Sequence, residues 1–108
     1  MDASPPDFDA LLRRWETAGT AGEQVQVLRA VCVARGHGRE ARVVHLVLEA
    51  FDHEAPEVRR EAVRVVARCP WSALLEVVDE VAAADPDPEV RALAQQLLDE
   101  LAEGGRPG

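Results

Sequence analysis

Apolar residues recur at helical spacing along most of the chain, and short polar or proline-containing segments separate the groups. In the first group, Phe8, Leu11, Leu12 and Trp15 follow an i, i+3, i+4, i+7 pattern, which places them on one face of a helix. The groups that follow show a similar periodicity. The pattern predicts six helices, at about residues 4–17, 20–35, 39–51, 56–69, 70–84 and 88–102.

The predicted boundaries coincide with residues that begin or end helices. Thr20 and Glu23 form a capping box, in which a hydroxyl and a carboxylate satisfy the free backbone amides of a first turn. Pro56 and Pro88 suit a first helical turn, where no backbone donor is lost. Pro70 ends the fourth helix before it.

The second predicted helix is apolar around nearly its whole circumference. The apolar residues are Val25, Val27, Leu28, Ala30, Val31, Cys32, Val33 and Ala34. Either neighbouring helices bury it on all sides, or it presents an apolar strip to a partner.

The third predicted helix has a broad apolar surface. We expect Ala41, Val44, Leu48 and Phe51 to form its inner face, with Leu46 and Val47 adding breadth.

One segment of the chain occurs twice. Residues 85–91 read Asp-Pro-Asp-Pro-Glu-Val-Arg, and a near copy with one inserted residue stands 32 residues earlier, at 52–59. The apolar residues of the two copies also correspond: Val58, Ala62, Val65, Val66 and Cys69 match Val90, Ala94, Leu97, Leu98 and Leu101. A fixed period of this length is typical of stacked helical repeats.

The repeated string, followed by Ala and then an apolar pair, resembles the consensus of the HEAT-repeat family. The resemblance is close over 39–102, and over 4–36 it extends only to a helical hairpin. It implies an all-α fold, a right-handed α-solenoid of three antiparallel helix pairs. The expected organisation is a single HEAT-like domain over 1–108, with helix pairs at about 4–36, 39–69 and 70–103 and flexible ends at 1–3 and 104–108.

The resemblance also implies roles for parts of the repeat. The first helix of each pair would line a convex side, and the second helix a concave side. Asp52 and Asp85 would interact with Arg59 and Arg91 as a structural ladder between repeats.

Composition narrows the class of protein. Hydrophobic residues make up 47% of the 108 residues, which excludes disorder over the whole chain. No apolar run reaches the length of a membrane span and no signal segment opens the chain, so we expect a cytoplasmic protein without membrane contact. The net charge of −8 argues against a general nucleic-acid binder. We expect Cys32 and Cys69 to be buried thiols.

The sequence contains no recognisable catalytic constellation. There is no glycine-rich phosphate loop, no Ser-His-Asp order and no Cys-x-x-Cys pair. His37, His45 and His53 stand eight residues apart, without the Cys or carboxylate spacing of a metal site. We therefore expect neither an enzyme nor a metal or other cofactor. HEAT-like lyases that attach bilin chromophores offer an enzymatic alternative, which rests on fold analogy alone.

The most distinctive charged feature is a row of arginines. Arg60, Arg64 and Arg68 stand at i, i+4 and i+8 on the fourth helix, and equivalent residues do not recur on the sixth. They form either a salt-bridged solvent face or a binding stripe for an acidic or phosphorylated segment, since guanidinium groups match carboxylate and phosphate oxygens.

These features predict a HEAT-like adaptor or scaffold that binds a protein partner on its concave face. Arg60, Arg64 and Arg68 would supply charge selectivity, and Val27, Val31 and Ala34 would supply apolar contact. A nucleic-acid or tRNA-handling accessory protein is an alternative, supported only by the arginines of residues 29–68. The basic middle and acidic C-terminal third leave self-association open.

Overall fold

The described part of the chain is all-α. The computed structural model describes residues 7–31 and 39–104. It contains six helices: α1 (Phe8–Thr17), α2 (Ala21–Val31), α3 (Arg39–Phe51), α4 (Pro56–Arg68), α5 (Ser72–Ala84) and α6 (Pro88–Gly104). The six predicted helices are confirmed. The predicted start of the first at residue 4 and the predicted end of the second at residue 35 lie outside the described residues.

In the part of the chain that the structure describes, side chains cap α2 and α6. The backbone amide of Glu23 donates to Thr20 Oγ1 over 3.2 Å, which places the predicted cap at the start of α2. Asp87 Oδ1 accepts from the backbone amides of Glu89 and Val90, at 2.8 and 3.2 Å. Both contacts satisfy amides that have no partner within a first turn.

Helix α4 lies at the centre of the core. It packs against α2, α3, α5 and α6. Its apolar side chains are buried on several sides, at Val58, Ala62, Val63, Val65 and Val66. A helix enclosed in this way holds its remaining polar side chains close to neighbouring helices.

Several helices contact the helix two places along the chain as well as their sequence neighbours, so that they form rows. α2 contacts α4 and α4 contacts α6, and α3 contacts α5. Side chains also connect α1 to α3: Arg42 pairs with Asp9 near the start of each helix, and Trp15 Nε1 donates to Glu49 Oε2 over 3.1 Å near the end of each. Since start meets start and end meets end, α1 and α3 run in the same direction.

The buried face of α3 matches the predicted one only in part, at Leu46, Val47 and Phe51. The buried side chains on this helix are Val43, Leu46, Val47, Ala50 and Phe51. Leu48 is instead 38% exposed, and Ala41 lies at the surface. Apolar residues cover more than one stripe of α3, so helical spacing alone fits two faces. Contact with α4 and α5 selects the one that is buried.

Candidate functional site

The apolar face of α2 formed by Val27, Leu28 and Val31 is packed into the core rather than presented to a partner. The side chains of Val27 and Val31 are only 1% and 0% exposed, and Leu28 is also buried. α2 contacts both α1 and α4. The prediction that Val27 and Val31 contact a partner is therefore wrong, because neighbouring helices cover them. Cys32 and Ala34, on the same predicted helix, lie outside the described residues.

A groove runs between α4 and α6, and two of the three predicted arginines line it. Its volume is about 300 Å³, and it is open to solvent. The lining residues are Arg60, Arg64, Glu89, Ala92, Leu93 and Gln96. A smaller cavity of about 80 Å³ adjoins it at Arg64 and continues towards Ala67 and Glu100. Arg60 and Glu89 lie near the starts of α4 and α6, and Ala67 and Glu100 lie further along both, so the two helices run in the same direction.

Arg60 forms an ion pair across this groove. Its Nη1 donates to Glu89 Oε2 over 3.3 Å, which joins α4 to α6. The Arg60 side chain is 28% exposed, whereas that of Glu89 is mostly in solvent. The pair neutralises much of the charge at this end of the groove.

Arg64 forms an ion pair with the buried carboxylate of Glu61. Glu61 is 2% exposed, and its Oε1 accepts from Arg64 Nη1 over 3.1 Å. The same oxygen lies 3.5 Å from Nε of Arg29, on α2. A buried carboxylate needs such partners, because an unpaired charge away from water is strongly unfavourable. The two guanidinium groups remain accessible, with side chains 49% and 61% exposed.

Sequence reasoning missed both the burial of Glu61 and the role of Arg29, although each left a signal. Glu61 stands three residues after Val58 and four before Val65, which is the spacing of the buried face of α4. Arg29 precedes Glu61 by 32 residues, the spacing between the two copies of the repeat. In a stacked repeat, residues separated by one period lie at equivalent places on neighbouring units.

Arg68 is exposed at the end of α4. Among residues 7–31 and 39–104, its side chain has no hydrogen-bond or ion-pair partner. The three arginines of α4 thus have different surroundings: Arg60 pairs with α6, Arg64 rests on buried Glu61, and Arg68 projects into solvent.

The predicted ladder contains one ion pair between turns. Arg59 donates through Nε and Nη2 to the two carboxylate oxygens of Asp85, at 2.9 and 3.2 Å, and both residues are buried. Arg59 Nη1 also donates to the backbone carbonyls of His53 and Glu54. Within the described residues, the Arg91 side chain donates only to the backbone carbonyl of Asp85, over 2.6 Å.

The fourth residue of the predicted ladder does not take part. Asp52 is exposed and has no ion-pair partner within the described ranges.

His45 and His53 have different surroundings. His45 Nε2 lies 3.7 Å from Glu49 Oε1 on the surface of α3, and His53 Nδ1 accepts from the backbone amide of Ala55. Cys69 is buried, and His37 lies outside the described residues. No group of three or more His, Cys, Asp or Glu side chains in the described part of the chain is arranged to hold a metal ion.

Comparisons of the chain with models of known protein families, with curated proteins and with solved structures find no match. Within residues 7–31 and 39–104, no helix combines the length and apolar character needed to cross a membrane.

The α2–α4–α6 surface therefore carries the most distinctive chemistry of the described residues. We call Arg29, Arg60, Arg64 and Arg68 the arginine face. Guanidinium groups donate hydrogen bonds in a fixed planar geometry that matches the oxygens of carboxylate and phosphate groups.

Proposed function

We propose that this protein is a non-catalytic, HEAT-like adaptor that binds an acidic or amphipathic segment of a protein partner. The partner segment lies on the arginine face and in the groove between α4 and α6. In this proposal the helices form three antiparallel pairs stacked as an α-solenoid, and α2, α4 and α6 line the concave side.

The contacts between helices support the solenoid. Each helix of a proposed pair contacts its sequence neighbour: α1 with α2, α3 with α4, and α5 with α6. Helices at equivalent places in successive pairs also meet, in the rows α2–α4–α6 and α3–α5. α1 and α3 run in the same direction, as do α4 and α6. Stacking of repeated hairpins produces this combination of neighbours.

The groove between α4 and α6 is the observation that carries the binding proposal. Arg60 and Arg64 stand on its α4 wall, while Ala92 and Leu93 add apolar surface on α6. A segment with acidic residues on one side and apolar residues on the other matches both walls. Helical and extended peptides commonly bind in such grooves by combining apolar anchors with charge pairing.

The test compares two double variants with the same change in net charge. Arg60→Gln with Arg64→Gln removes both groove cations, and Arg13→Gln with Arg14→Gln removes two exposed arginines of α1. Glutamine is preferred to glutamate, because a carboxylate at position 64 would lie against buried Glu61. The partner is isolated with the wild-type protein, purified, and its affinity for each variant measured by calorimetry.

We expect the groove variant to bind at least about tenfold more weakly, since each charge-assisted hydrogen bond contributes about 1.5–3 kcal/mol. The α1 variant should stay within about twofold of wild type, because distant exposed charges are screened by salt. Circular dichroism checks that both variants are folded. Equal affinity of the two variants for the partner would overturn the proposed binding groove.

A further inference from the structure

We infer that Arg29 and Arg64, held together by buried Glu61, form a binding site for one phosphorylated side chain, a phosphoserine or phosphothreonine of a partner protein. This inference rests on the proposed function, because it specifies what the arginine face recognises. It adds Arg29 of α2 to the site, and it assigns Glu61 as a positioning residue.

The two guanidinium groups converge on one atom. Arg64 Nη1 and Arg29 Nε both contact Oε1 of Glu61, at 3.1 and 3.5 Å. Groups that share an oxygen lie side by side, although they come from different helices. A single compact ligand can therefore reach both.

Most of the donors of this pair are still available. Arg29 meets Glu61 only through Nε and Arg64 only through Nη1, and neither has another partner among the described residues. A guanidinium group carries five N–H donors, so each arginine retains several that can face solvent. Because Glu61 is buried and fixed, it reduces the conformational freedom that the two long side chains lose when a ligand binds.

The local charge favours a phosphate dianion. Two arginines around one carboxylate leave one net positive charge, and exposed Arg68, one turn beyond Arg64, adds a second. A phosphorylated side chain carries about −1.5 to −2 at neutral pH, which matches this sum better than one carboxylate does.

The opposite wall limits the size of the anion. Glu89 and Glu100 on α6 face the same groove as Arg64. These carboxylates repel an extended polyanion such as RNA that would run across the groove. They do not obstruct one phosphate group on the α2 side of α4, where Arg29 lies.

The experiment uses three matched peptides of Gly and Ser that carry phosphoserine, Glu or Ser at one central position. Binding to the full chain is followed by NMR through the Nε–H signals of the arginine side chains, and inorganic phosphate serves as a fourth probe. We expect the phosphoserine peptide to shift the Arg29 and Arg64 signals saturably. Its affinity should exceed that of the Ser peptide about tenfold, as one or two charge-assisted hydrogen bonds allow. Equal binding of the Glu and phosphoserine peptides would overturn the inference.

Two single variants locate the site. Arg29→Gln should lower the affinity for the phosphoserine peptide about fivefold or more. Arg14→Gln removes the same charge from α1 and should leave this affinity within about twofold of wild type. Equal weakening by both would show a non-specific charge effect and would overturn the site. Tighter binding of a single-stranded RNA oligonucleotide than of the phosphoserine peptide would also overturn it.

Arg29 plays no part in the test of the proposed groove, so the two failures can be told apart. If the purified partner needs Arg60 and Arg64 but binds equally well after phosphatase treatment, the adaptor proposal stands and the phosphate site fails.

The positioning role of Glu61 has its own readout. If this carboxylate only neutralised the arginines, Glu61→Gln would strengthen phosphate binding. If it holds them together, the variant should lose the preference for phosphoserine over Glu. Should Glu61→Gln fail to fold, Arg64→Lys retains the charge but loses the planar fork. Undiminished phosphoserine binding by Arg64→Lys would contradict the site.

Discussion

The two copies of the repeated turn have nearly the same sequence but different surroundings. In one direction, Arg59 of the first copy reaches Asp85 of the second, and both side chains are buried in a two-pronged ion pair. The corresponding residues Arg91 and Asp52 do not form such a pair: Arg91 contacts a backbone carbonyl, and Asp52 is exposed.

The burial and pairing of each aspartate depend on the residue at the equivalent position in the preceding repeat. Arg59 pairs with a carboxylate 26 residues further along the chain, and the residue 26 before Asp52 is Gln26. Gln26 carries no guanidinium group and is exposed on α2. The motif therefore determines the local turn, while the neighbouring repeat determines whether its charges are buried and paired.

A second difference lies at the start of the following helix. In the second copy, Asp87 caps α6 through its side chain. In the first copy, the N-cap of α4 is Ala55, which has no side-chain cap, and the backbone amide of Ala55 donates to His53 Nδ1 instead. The first copy lacks the side-chain cap because Ala55 stands in the place of Asp87, and the contact of His53 with the amide of Ala55 corresponds to that of Asp85 with the amide of Asp87 in the second copy.

The largest expected effect comes from removing one member of the buried pair. Asp85→Ala should lower the free energy of unfolding by about 3 kcal/mol or more, because it leaves the buried guanidinium of Arg59 without a counter-charge. Asp52→Ala, the same change in the other copy, should stay within about 0.5 kcal/mol, as is usual for exposed sites. Urea unfolding followed by circular dichroism measures both.

Asp85 also accepts a hydrogen bond from the backbone amide of Asp87, so the variant removes more than the ion pair. A double-mutant cycle with Arg59→Met separates the two effects. The double variant should be clearly more stable than the sum of the single losses predicts. Strict additivity, or an equal loss from Asp52→Ala, would show that burial of the Arg59–Asp85 pair does not distinguish the copies.

An intermediate effect is expected at the helix caps. Asp87→Ala removes both side-chain contacts at the start of α6 and should cost about 1 kcal/mol. The converse change, Ala55→Ser, should stabilise α4 by up to about 1 kcal/mol, because position 55 already has the extended backbone of an N-cap. Thermal unfolding checks both, and a stabilising Asp87→Ala or a strongly destabilising Ala55→Ser would contradict the assignment.

The helices were largely predictable, because each apolar group has the helical period and most boundaries carry a proline or a capping residue. The buried face of α4 was predictable at Val58, Ala62, Val65 and Val66, which form one stripe at helical spacing, but not at Val63. On α3 the prediction failed at Leu48 and Ala41. Two apolar stripes fit the same spacing there, and only contact with α4 and α5 decides between them.

The candidate site was less predictable. The row of arginines on α4 was visible in the sequence, but the different surroundings of its three members depend on side chains of other helices. Glu61 would be expected at the surface from its charge, and it is buried because Arg29 and Arg64 compensate it. Val27 and Val31 show the opposite case, since an apolar residue at helical spacing can serve either a core or an interface. Only the position of α2 between α1 and α4 assigns them to the core.

The smallest expected effect on stability concerns the exposed ion pair between Arg60 and Glu89. Arg60–Glu89 connects α4 to α6 beside the buried pair of Arg59 and Asp85, but Glu89 is mostly in solvent. We expect Glu89→Gln to lower the free energy of unfolding by no more than about 0.5 kcal/mol, since exposed ion pairs contribute little. The matched control is Glu57→Gln: Glu57 occupies the same place in the first turn of α4 and has no ion pair within the described residues. Both changes lose the favourable interaction of an acid with a helix start, so the difference between the two unfolding free energies isolates the ion pair. That difference should fall further at high salt. If Glu89→Gln lowered the free energy of unfolding as much as Asp85→Ala, the position of an ion pair between repeats, rather than its burial, would determine how strongly it stabilises this fold.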